Sequence, residues 1–343
     1  MTRVGILGAT GAVGQRFVQL LTDHPTFDIA ALTASPESAG KTYREAAKWR
    51  LNTPVPTAVA ETTVVETTPE AVPDDVSLLF SSLPSDVAAA VEPAFLEAGY
   101  VVSSNSSNAR LEDDVPLVIP EINPDHLDLL ETQRRNRGWE GGLVKNPNCS
   151  TITMVPALAA VDRFGLERVH VSTLQAVSGA GYSGVTSMEI IDNAIPHIGG
   201  EEEKMETESR KLLGDLADGA VDWHPAAVSA SCNRIATIDG HLENVFVETE
   251  ADPSVAEIEA AFRDAPTQDL PSAPDPLITV FEEPDRPQPR LDRMVGDGMG
   301  IAVGGVSETE AGFQFNVLSH NTIRGAAGAS LLNGELLAER GHL

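Results

Sequence analysis

The chain has 343 residues, 42% of them hydrophobic, which is enough to bury the cores of about two domains. Its formal charge is −28, from 51 acidic and 23 basic residues, so its surface repels nucleic acid and anionic membranes, and neither is expected as a partner. No apolar run approaches the ~20 residues of a membrane span, and the chain enters a strand pattern at once instead of a leader, which predicts a cytoplasmic location.

The acidic residues are spread along the chain, and only five residues are lysine. Such a composition resembles that of proteins from salt-loving organisms, in which roughly 1 M salt shortens the Debye length to about 3 Å and weakens self-repulsion. It predicts that stability requires salt, with an ordinary acidic cytosolic protein as the alternative. The two cysteines, Cys149 and Cys232, lie in no metal-ligand spacing, so no metal is expected.

A glycine-rich turn follows the first predicted strand. Val4, Ile6 and Leu7 lead into GATGAVG, and a helical pattern continues through Phe17 and Leu21. A strand, a glycine turn and a helix in this order indicate a dinucleotide site, because glycines let the backbone approach a pyrophosphate and the helix N-terminus faces its charge. The candidate cofactor-binding residues here are Gly8, Thr10, Gly11, Ala12, Val13 and Gly14.

The second predicted strand, Phe27 to Leu32, ends in TASPESAGK, at the place where NAD-binding sheets usually carry an acid for the ribose 2′-hydroxyl. No carboxylate stands at the strand end. The side chains that follow suit a 2′-phosphate and favour NADP over NAD; they are the hydroxyls of Thr33, Ser35 and Ser38 and, a little beyond, Lys41. Glu37 opposes this assignment, because its carboxylate would repel the phosphate.

Strands and helices alternate further along the first half. Val76 to Phe80 and Tyr100 to Ser103 are predicted strands, and Ser85 to Ala98 is a predicted helix, which implies parallel βαβ units. Loops at the carboxyl ends of such strands bind ligands. Ser82 in SSLPS is therefore a candidate cofactor residue, and Arg110 in SNSSNAR is a candidate anion-binding residue.

The segment KNPNCST, Lys145 to Thr151, places Cys149 after an Asn-Pro-Asn turn and before an apolar run. We predict that a helix begins at or just after Cys149, although Pro156 weakens this prediction. The unpaired N–H groups of a helix N-terminus lower a thiol's pKa, so Cys149 is placed to act as a nucleophile. A buried structural thiol is the alternative.

From about residue 148 longer alternating strands, such as Val169 to Gln175 and Phe313 to Val317, predict a mainly antiparallel sheet. Asp264 to Arg293 is rich in proline and acid and should be mostly loop, and it is a candidate subunit contact. Ile323 to Glu339 is predicted to be a helix that packs back on the first half. The fold class is α/β, with a Rossmann-like dinucleotide-binding domain (residues 1–147 plus the C-terminal helix 322–343) and an α+β catalytic domain (residues 148–321).

Two polar pairs in the second half are candidate ligands. Glu201 and Lys204 would share one face of a helix. Arg234 offers a fork for a carboxylate, and His241 offers a group that titrates near neutrality. A solvated surface pair and a structural histidine are the alternatives.

Gln175 and Asn321 lie in two further motifs, where each could merely cap a turn or a helix. Taken together, NPNCS, QAVSGAG, GGEEEK, CNR followed by GHLE, PQPRLD and SHNTIRGAAG resemble the aspartate-β-semialdehyde dehydrogenases of archaea and fungi. The likeness extends from GATGAVG to the final helix.

The resemblance implies a homodimeric or homotetrameric enzyme that reversibly reduces and dephosphorylates 4-phospho-L-aspartate to L-aspartate 4-semialdehyde with NADPH, a step toward lysine, threonine and methionine. It implies that Cys149 is the nucleophile, His241 the acid/base and Gln175 the residue that positions the acyl group. The implied substrate ligands are Arg234 for the α-carboxylate, Glu201 for the α-amino group, and Arg110, Lys204 and Asn148 for phosphate. The implied nicotinamide-lining residues are Ser178, Gly179 and Asn321.

Three rival functions remain. A malonyl-CoA reductase resembles the archaeal branch and applies the same thiol and hydride chemistry to a CoA thioester. An N-acetylglutamyl-phosphate reductase shares the architecture, but an acetylated amine would give Glu201 no partner. A non-catalytic dinucleotide sensor is disfavoured by the joint presence of Cys149, Gln175, Arg234 and His241.

Overall fold

The first sheet of the computed structural model, which describes residues 1–343, consists of parallel strands from the N-terminal part of the chain. These are β1 (Thr2–Leu7), β2 (Phe27–Ala34), β3 (Val65–Glu66), β4 (Leu78–Ser81), β5 (Val101–Ser104) and β6 (Gly142–Lys145). Their order across the sheet is β3-β2-β1-β4-β5-β6. The strand order reverses direction between β1 and β4, and sheets of this kind bind ligands outside the carboxyl ends of the strands at that point. The predicted glycine turn begins there, directly after Leu7.

The α-helices are α1 (Ala12–Leu21), α2 (Tyr43–Ala46), α3 (Thr57–Ala60), α4 (Ser85–Glu97), α5 (Leu129–Arg137), α6 (Cys149–Val161), α7 (Ser187–Ile190), α8 (Glu201–Leu212), α9 (Val255–Arg263), α10 (Pro289–Asp292) and α11 (Gly328–Glu339). Helices α1 and α11 contribute Phe17, Leu331 and Leu337 to the core on one face of the first sheet. Phe95 and Leu96 of α4 lie in the core on the other face. The predicted packing of the final helix on the first half is confirmed. None of these helices has the length and apolarity that crossing a bilayer requires.

The second sheet is made from the later part of the chain. Its strands are β7 (Leu166–Gln175), β8 (Ala194–Ile195), β11 (Ala227–Ile235), β12 (His241–Thr249), β13 (Ile278–Phe281), β14 (Ile301–Thr309) and β15 (Gly312–Ser319), and β9 (Asp215–Ala217) and β10 (Ala220–Asp222) form a separate hairpin. The order is β13-β14-β15-β12-β7-β11-β8, and only the β7–β11 and β13–β14 pairs are parallel. The predicted mainly antiparallel sheet is therefore confirmed.

Helices α6, α8 and α9 cover one face of the second sheet. Leu158 of α6, Met205 of α8 and Phe262 of α9 pack with the inward residues of the central strands, such as Val171 and Val245. The opposite face carries side chains that remain accessible, and Phe246 in the middle of it is 44% exposed. This asymmetry leaves one face of the sheet without a covering layer.

The segment from Asp264 to Arg293 is mostly loop, as predicted, and its only regular elements are β13 and α10. Strand β13 lies at the sheet edge, where the prolines around it are tolerated. The segment also reaches the first half of the chain, because the Ser272 N–H donates to Glu335 in α11 (3.1 Å). Its proposed contact with another subunit stays a prediction.

The two sheets take their strands from opposite sides of residue 147, and the exact domain division stays a prediction. The chain returns to the first sheet through a π-helical turn, Ile323–Ala327. Within this turn the Arg324 guanidinium donates to both carboxylate oxygens of Glu121 (2.7 and 3.1 Å), and both side chains are fully buried. Because an unpaired buried charge is strongly destabilising, this pair fixes the position of the returning segment.

Candidate active site

Helix α6 begins at Cys149, as predicted, and Asn148 caps it. The Asn148 Oδ1 accepts hydrogen bonds from the backbone N–H groups of Ser150 (2.9 Å) and Thr151 (3.1 Å). Pro156 lies inside the helix without ending it. The N–H of Cys149, in the first turn, has no partner within its own helix and points out of its N-terminus. The thiol is thus presented beside a free backbone donor.

Cys149 and His241 are in contact. The Cys149 Sγ lies 3.3 Å from the Nε2 of His241, the first residue of β12. On the other side of the ring, the backbone N–H of Ala176 donates to Nδ1 (3.1 Å). A neutral imidazole with an acceptor at Nδ1 carries its proton on Nε2, the nitrogen that faces sulfur. The sheet therefore fixes which ring nitrogen meets the reacting atoms.

Burial raises the pKa of the Cys149 thiol to about 12, and Glu201 adds to the rise while Arg234 and Arg110 oppose it. Cys149 keeps part of its surface open to the cavity, which moderates the size of this rise but not its direction. Burial, together with Arg234 and His320, lowers the pKa of His241 to about 3. Both groups are therefore neutral at pH 7. Burial and Glu201 thus act against the lowering that the helix N-terminus predicts for this thiol pKa, and that lowering stays a prediction.

A cavity of about 520 Å³ opens at Cys149. Its lining includes ten of the other predicted site residues: Ala12, Val13, Arg110, Asn148, Ser178, Gly179, Glu201, Lys204, Arg234 and Asn321. His241 and Gln175 are buried behind this lining. Gln175 ends β7 next to Arg234 of β11 in the sheet register, and its Nε2 donates to Thr173 Oγ1 (3.3 Å). Its role toward an acyl group stays a prediction.

Arg234 and Glu201 supply opposite charges to this cavity. The Arg234 Nη1 donates to the carbonyl of Ala176 (2.7 Å), and the side chain is buried. Glu201 accepts from Asn148 Nδ2 (2.9 Å) and lies 3.5 Å from Lys204 Nζ. Because Glu201 is buried, the alternative of a solvated surface pair is wrong for it. A guanidinium and a carboxylate in one cavity suit a ligand that has both a carboxylate and an ammonium group.

Arg110 is held by two protein acceptors before any ligand arrives. Its Nη1 donates to Glu208 (2.8 Å) and its Nη2 to the carbonyl of Asn105 (2.7 Å), whereas its buried Nε has no protein partner. The Lys204 side chain is one-third exposed, so it is held less tightly than the Arg110 side chain. An anion in this part of the cavity would therefore meet one fixed cation and one adaptable cation.

Two glycines leave room for the reacting groups. A Cβ at Gly179 would lie 2.9 Å from Arg234 Nη1 and 3.3 Å from His241 Nε2, and a Cβ at Gly325 would lie 2.8 Å from the Cβ of Cys149. Asn321 donates to Ser178 Oγ (2.8 Å) and accepts from the N–H of Gly240 (2.8 Å). Asn321 thus connects two loops of the site, and its alternative role as a helix cap is wrong.

A cleft of about 930 Å³ runs from the glycine turn to the cavity. The predicted cofactor residues that line it are Gly8, Thr10, Gly11, Ala12, Val13, Ser35 and Ser82. The cleft and the cavity share Ala12, Val13, Ala180 and Gly181, so a ligand in one reaches the other. Gly14 lies behind the turn, where a Cβ would be 2.2 Å from the carbonyl oxygen of Gly8. This turn, tight against the N-terminus of α1, fits a pyrophosphate.

The structure corrects the prediction at the adenosine end of the cleft. The hydroxyl of Thr33 is buried against Thr67 Oγ1 (2.9 Å), so it supports the sheet, and its carbonyl accepts from the N–H groups of Gly8 and Ala9. Ser38 lies outside the cleft lining. A hydrogen bond from Ser35 lowers the pKa of Glu37. Of the three predicted hydroxyls, only Ser35 lines the cleft, and Glu37 competes for it.

Three buried charged residues near the site were missed in the sequence. Glu208 binds Arg110, Lys211 lies one turn further along α8, and Lys145, which opens the cysteine motif, donates to Glu92, Ser104 and Ser106 (2.7 to 3.0 Å). The spacing of Glu201, Lys204, Glu208 and Lys211 by three, four and three residues is the signal that could have revealed the α8 residues, because it places all four on one helix face. No three potential ligands converge as a metal site would require.

Comparisons with known proteins agree with this geometry. The family described as "Semialdehyde dehydrogenase, NAD binding domain" matches residues 3–130, and "Semialdehyde dehydrogenase, dimerisation domain" matches residues 157–324. The aspartate-semialdehyde dehydrogenase of Methanothermobacter thermautotrophicus is 52% identical over 347 residues, covering 99% of each chain, and that of Archaeoglobus fulgidus is 51% identical over 97% of each chain. The crystal structure of the Candida albicans enzyme with NADP matches with a TM-score of 0.90 and 40% identity over the whole of both chains. A Vibrio cholerae enzyme complexed with ASA matches with a TM-score of 0.78 and 29% identity, over 99% of this chain and 98% of that one.

The charges around Cys149 predict opposite effects of two substitutions on thiol reactivity. Glu201→Gln removes a charge that raises the thiol pKa, and Arg234→Gln removes one that lowers it. Alkylation of Cys149 by iodoacetamide at pH 8 should therefore become faster in E201Q and slower in R234Q, by about three- to tenfold for a shift of half to one pKa unit. Peptide mass mapping from pH 6 to pH 10 measures the rates, with exposed Glu203→Gln as the matched control. Equal rates in the two variants would show that these charges do not act on the thiol.

Proposed function

The chain belongs to the aspartate-semialdehyde dehydrogenase family, and we propose on this premise that it reversibly converts 4-phospho-L-aspartate to L-aspartate 4-semialdehyde through a thioester on Cys149. The observation that carries this proposal is the 3.3 Å contact between Cys149 Sγ and His241 Nε2, at the cavity that opens into the dinucleotide cleft. A thiol nucleophile, an adjacent imidazole and a carboxylate-binding arginine are the groups that acyl transfer from this substrate needs. The product serves lysine, threonine and methionine biosynthesis.

The thioester forms when the Cys149 sulfur adds to the phosphorylated carbonyl and the bond from that carbon to the phosphate oxygen breaks; the thiol proton leaves with the phosphate, as hydrogen phosphate, toward Arg110 and Lys204. The N–H of Cys149 is the donor best placed for the oxygen of the tetrahedral adduct, since the Asn148 side chain caps α6 with its oxygen and gives one of its two N–H groups to Glu201. His241 presents Nε2 to the same atoms, so this nitrogen donates to the forming aldehyde oxygen in reduction and accepts from it in oxidation. Gln175, buried beside Arg234, is proposed to position the acyl group.

The rest of the substrate is recognised by charge. Arg234 keeps guanidinium donors available for the α-carboxylate while Nη1 is fixed on Ala176, and Glu201 is proposed to receive the α-ammonium. Asn148 helps at the phosphate with its remaining N–H. Malonyl-CoA has no ammonium, so Glu201 would remain buried without its cationic ligand in the rival reductase.

NADP is the cofactor, and it supplies the hydride to the thioester carbon when bound. The glycine turn would hold the pyrophosphate, with Ser35 and Ser82 lining the cleft beside it, and Ser178, Gly179 and Asn321 would line the nicotinamide in the cavity that contains Cys149. Glu37 and the cleft-lining Glu66 place negative charge at the adenosine end, which weakens the discrimination between NADP and NAD.

A cytoplasmic location is supported by the cysteines. Cys149 and Cys232 are both free thiols, and Cys232 is buried with its pKa raised by burial. A catalytic thiol needs a compartment that keeps it reduced.

The direct test is NADP⁺ reduction with aspartate semialdehyde and phosphate, repeated with NAD⁺ and with malonate semialdehyde plus CoA. We expect turnover that depends on phosphate, no turnover in Cys149→Ala with NADPH binding unchanged, and rates roughly 10² to 10⁴ lower in His241→Ala, the usual contribution of a general acid–base group. Faster turnover with malonate semialdehyde and CoA would establish the rival reductase. Turnover by C149A at the unaltered rate would exclude the thioester.

We further propose that the chain forms a homodimer or homotetramer through the uncovered face of the second sheet. Phe246 stands in the middle of this face, between His170 of β7 and Gln314 of β15, and is 44% exposed. A large aromatic side chain in the centre of an open sheet face is typical of an interface core.

Light scattering should give a multiple of the 36.3 kDa chain mass, and Phe246→Asp should shift the mass to the monomer. Leu111→Asp, at a similarly exposed apolar residue in the first half of the chain (39% exposed), is the control and should leave the mass unchanged. A purely monomeric unaltered chain would contradict the proposal.

The acidic composition also supports a protein adapted to high salt. Two of its five lysines, Lys145 and Lys211, are fully buried, so the surface carries still fewer cations than the sequence suggests. Raising NaCl from 0.1 M to 2 M shortens the Debye length from about 10 Å to less than about 3 Å. We expect the thermal midpoint to rise by roughly 10 °C, which corresponds to a few kcal/mol for a domain of this size. Calorimetry in NaCl and in sucrose separates the screening of charges from the general stabilisation by solutes that are excluded from the protein surface. An equal rise of the thermal midpoint in both would contradict charge screening.

A further inference from the structure

Helix α8 carries two more charged residues on the face that holds Glu201 and Lys204. Glu208 and Lys211 follow at the same helical spacing, and both are buried. Neither has a part in the reaction as described so far. Buried charges persist only where they are paired, so the partners of these two residues indicate what they do.

Glu208 joins the anion-binding arginine to the nucleophile loop. One of its carboxylate oxygens accepts from Arg110 Nη1 (2.8 Å), and the other accepts from the backbone N–H of Asn148 (2.6 Å). Asn148 is the residue directly before Cys149 and the cap of its helix. A single carboxylate therefore connects the side chain that faces the leaving group to the backbone that carries the thiol.

Lys211 fixes the segment that contains Arg110. Its Nζ donates to the carbonyl oxygens of Arg110 (2.9 Å), Glu112 (2.8 Å) and Val115 (2.8 Å). These three bonds use all three protons of the ammonium group. The backbone of Arg110 is thus held by Lys211 and its guanidinium by Glu208.

The two hydrogen bonds of Arg110 hold its guanidinium but leave a second N–H on each terminal nitrogen for an anion. Nη1 is bound to Glu208 and Nη2 to Asn105, while the buried Nε has no protein acceptor. The charge of Glu208 also offsets part of the charge of Arg110. Arg110 lowers the pKa of the Cys149 thiol. A change in the position or the net charge of the Arg110–Glu208 pair therefore changes the thiol pKa as well.

We propose that Glu208 is a positioning residue that orients Arg110 for phosphate and couples phosphate binding to the reactivity of Cys149, with Lys211 holding the Arg110 to Val115 segment in support. The inference rests on the proposed function in taking phosphate as the anion. Phosphate bound to the free donors of Arg110 adds a second anion to the guanidinium that Glu208 orients, and the other oxygen of Glu208 holds the backbone N–H of Asn148 beside the thiol. Occupancy of the anion site therefore changes the thiol's reactivity even in the absence of turnover.

The test is Glu208→Gln, which keeps the size of the side chain but places an amide N–H against one of two existing donors. We expect KM for phosphate to rise about 10- to 100-fold, the loss of one charge-assisted hydrogen bond, with KM for NADP⁺ within about twofold. Glu203→Gln, an exposed acid on the same helix, is the matched control and should leave both constants unchanged. An equal change of every constant in E208Q would indicate a merely structural role and would overturn the proposal.

A second readout does not depend on turnover. Inorganic phosphate should change the iodoacetamide alkylation rate of Cys149 in the unaltered protein, and E208Q should remove that response. Absence of a phosphate effect in the unaltered protein contradicts the coupling even if E208Q fails to fold. If the unaltered protein shows no phosphate-dependent NADP⁺ reduction, the proposed function fails; if it does and E208Q matches E203Q, only this inference fails.

Discussion

The requirement that buried charges be paired determines the architecture around the N-terminus of α6. Asn148, the cap of this helix, binds Glu201 through its side chain and Glu208 through its backbone, and both acids come from α8. Their other partners, Lys204 and Arg110, are the cations that face the cavity. Since none of these groups could be removed without leaving an opposite charge unpaired, the position of Cys149 depends on the whole set.

The same requirement explains how so acidic a chain builds a site for an anionic ligand. The formal charge of −28 disfavours approach of an anion to the surface at large, but Arg110, Lys204 and Arg234 concentrate positive charge in one cavity. Lys145 and Lys211 are buried inside the protein. Their ammonium groups, with three protons each, donate to buried carboxylate, hydroxyl and carbonyl oxygens there. Of the five lysines, two thus satisfy buried groups and a third, Lys204, lines the anion cavity.

Local patterns predicted the fold well, because strand, glycine turn and helix are properties of short segments. The parallel sheet, the start of α6 at Cys149 and the return of the final helix all follow from periodicity and turn chemistry. Thr33 failed because the direction of a strand side chain depends on pairing, which placed it against Thr67. The raised thiol pKa could not be predicted, since burial and the approach of Glu201 exist only in the tertiary structure. Glu208 and Lys211 could have been found by extending the helical spacing, but their partners lie about 100 residues away.

Cys149 and His241 are both neutral, so the thiol has to be activated as a nucleophile. We infer that the bound substrate contributes to this activation. Glu201 raises the pKa of the thiol and Arg234 lowers it, so the two charges act against each other on the sulfur. Under the proposed function, an ammonium group bound to Glu201 offsets the charge that raises the thiol pKa, while burial, the largest cause of the rise, remains. On that proposal a substrate that carries the ammonium lowers the thiol pKa, whereas one that lacks it leaves the full effect of Glu201 in place. The carboxylate proposed to receive the amino group therefore also acts on the reactivity of the nucleophile.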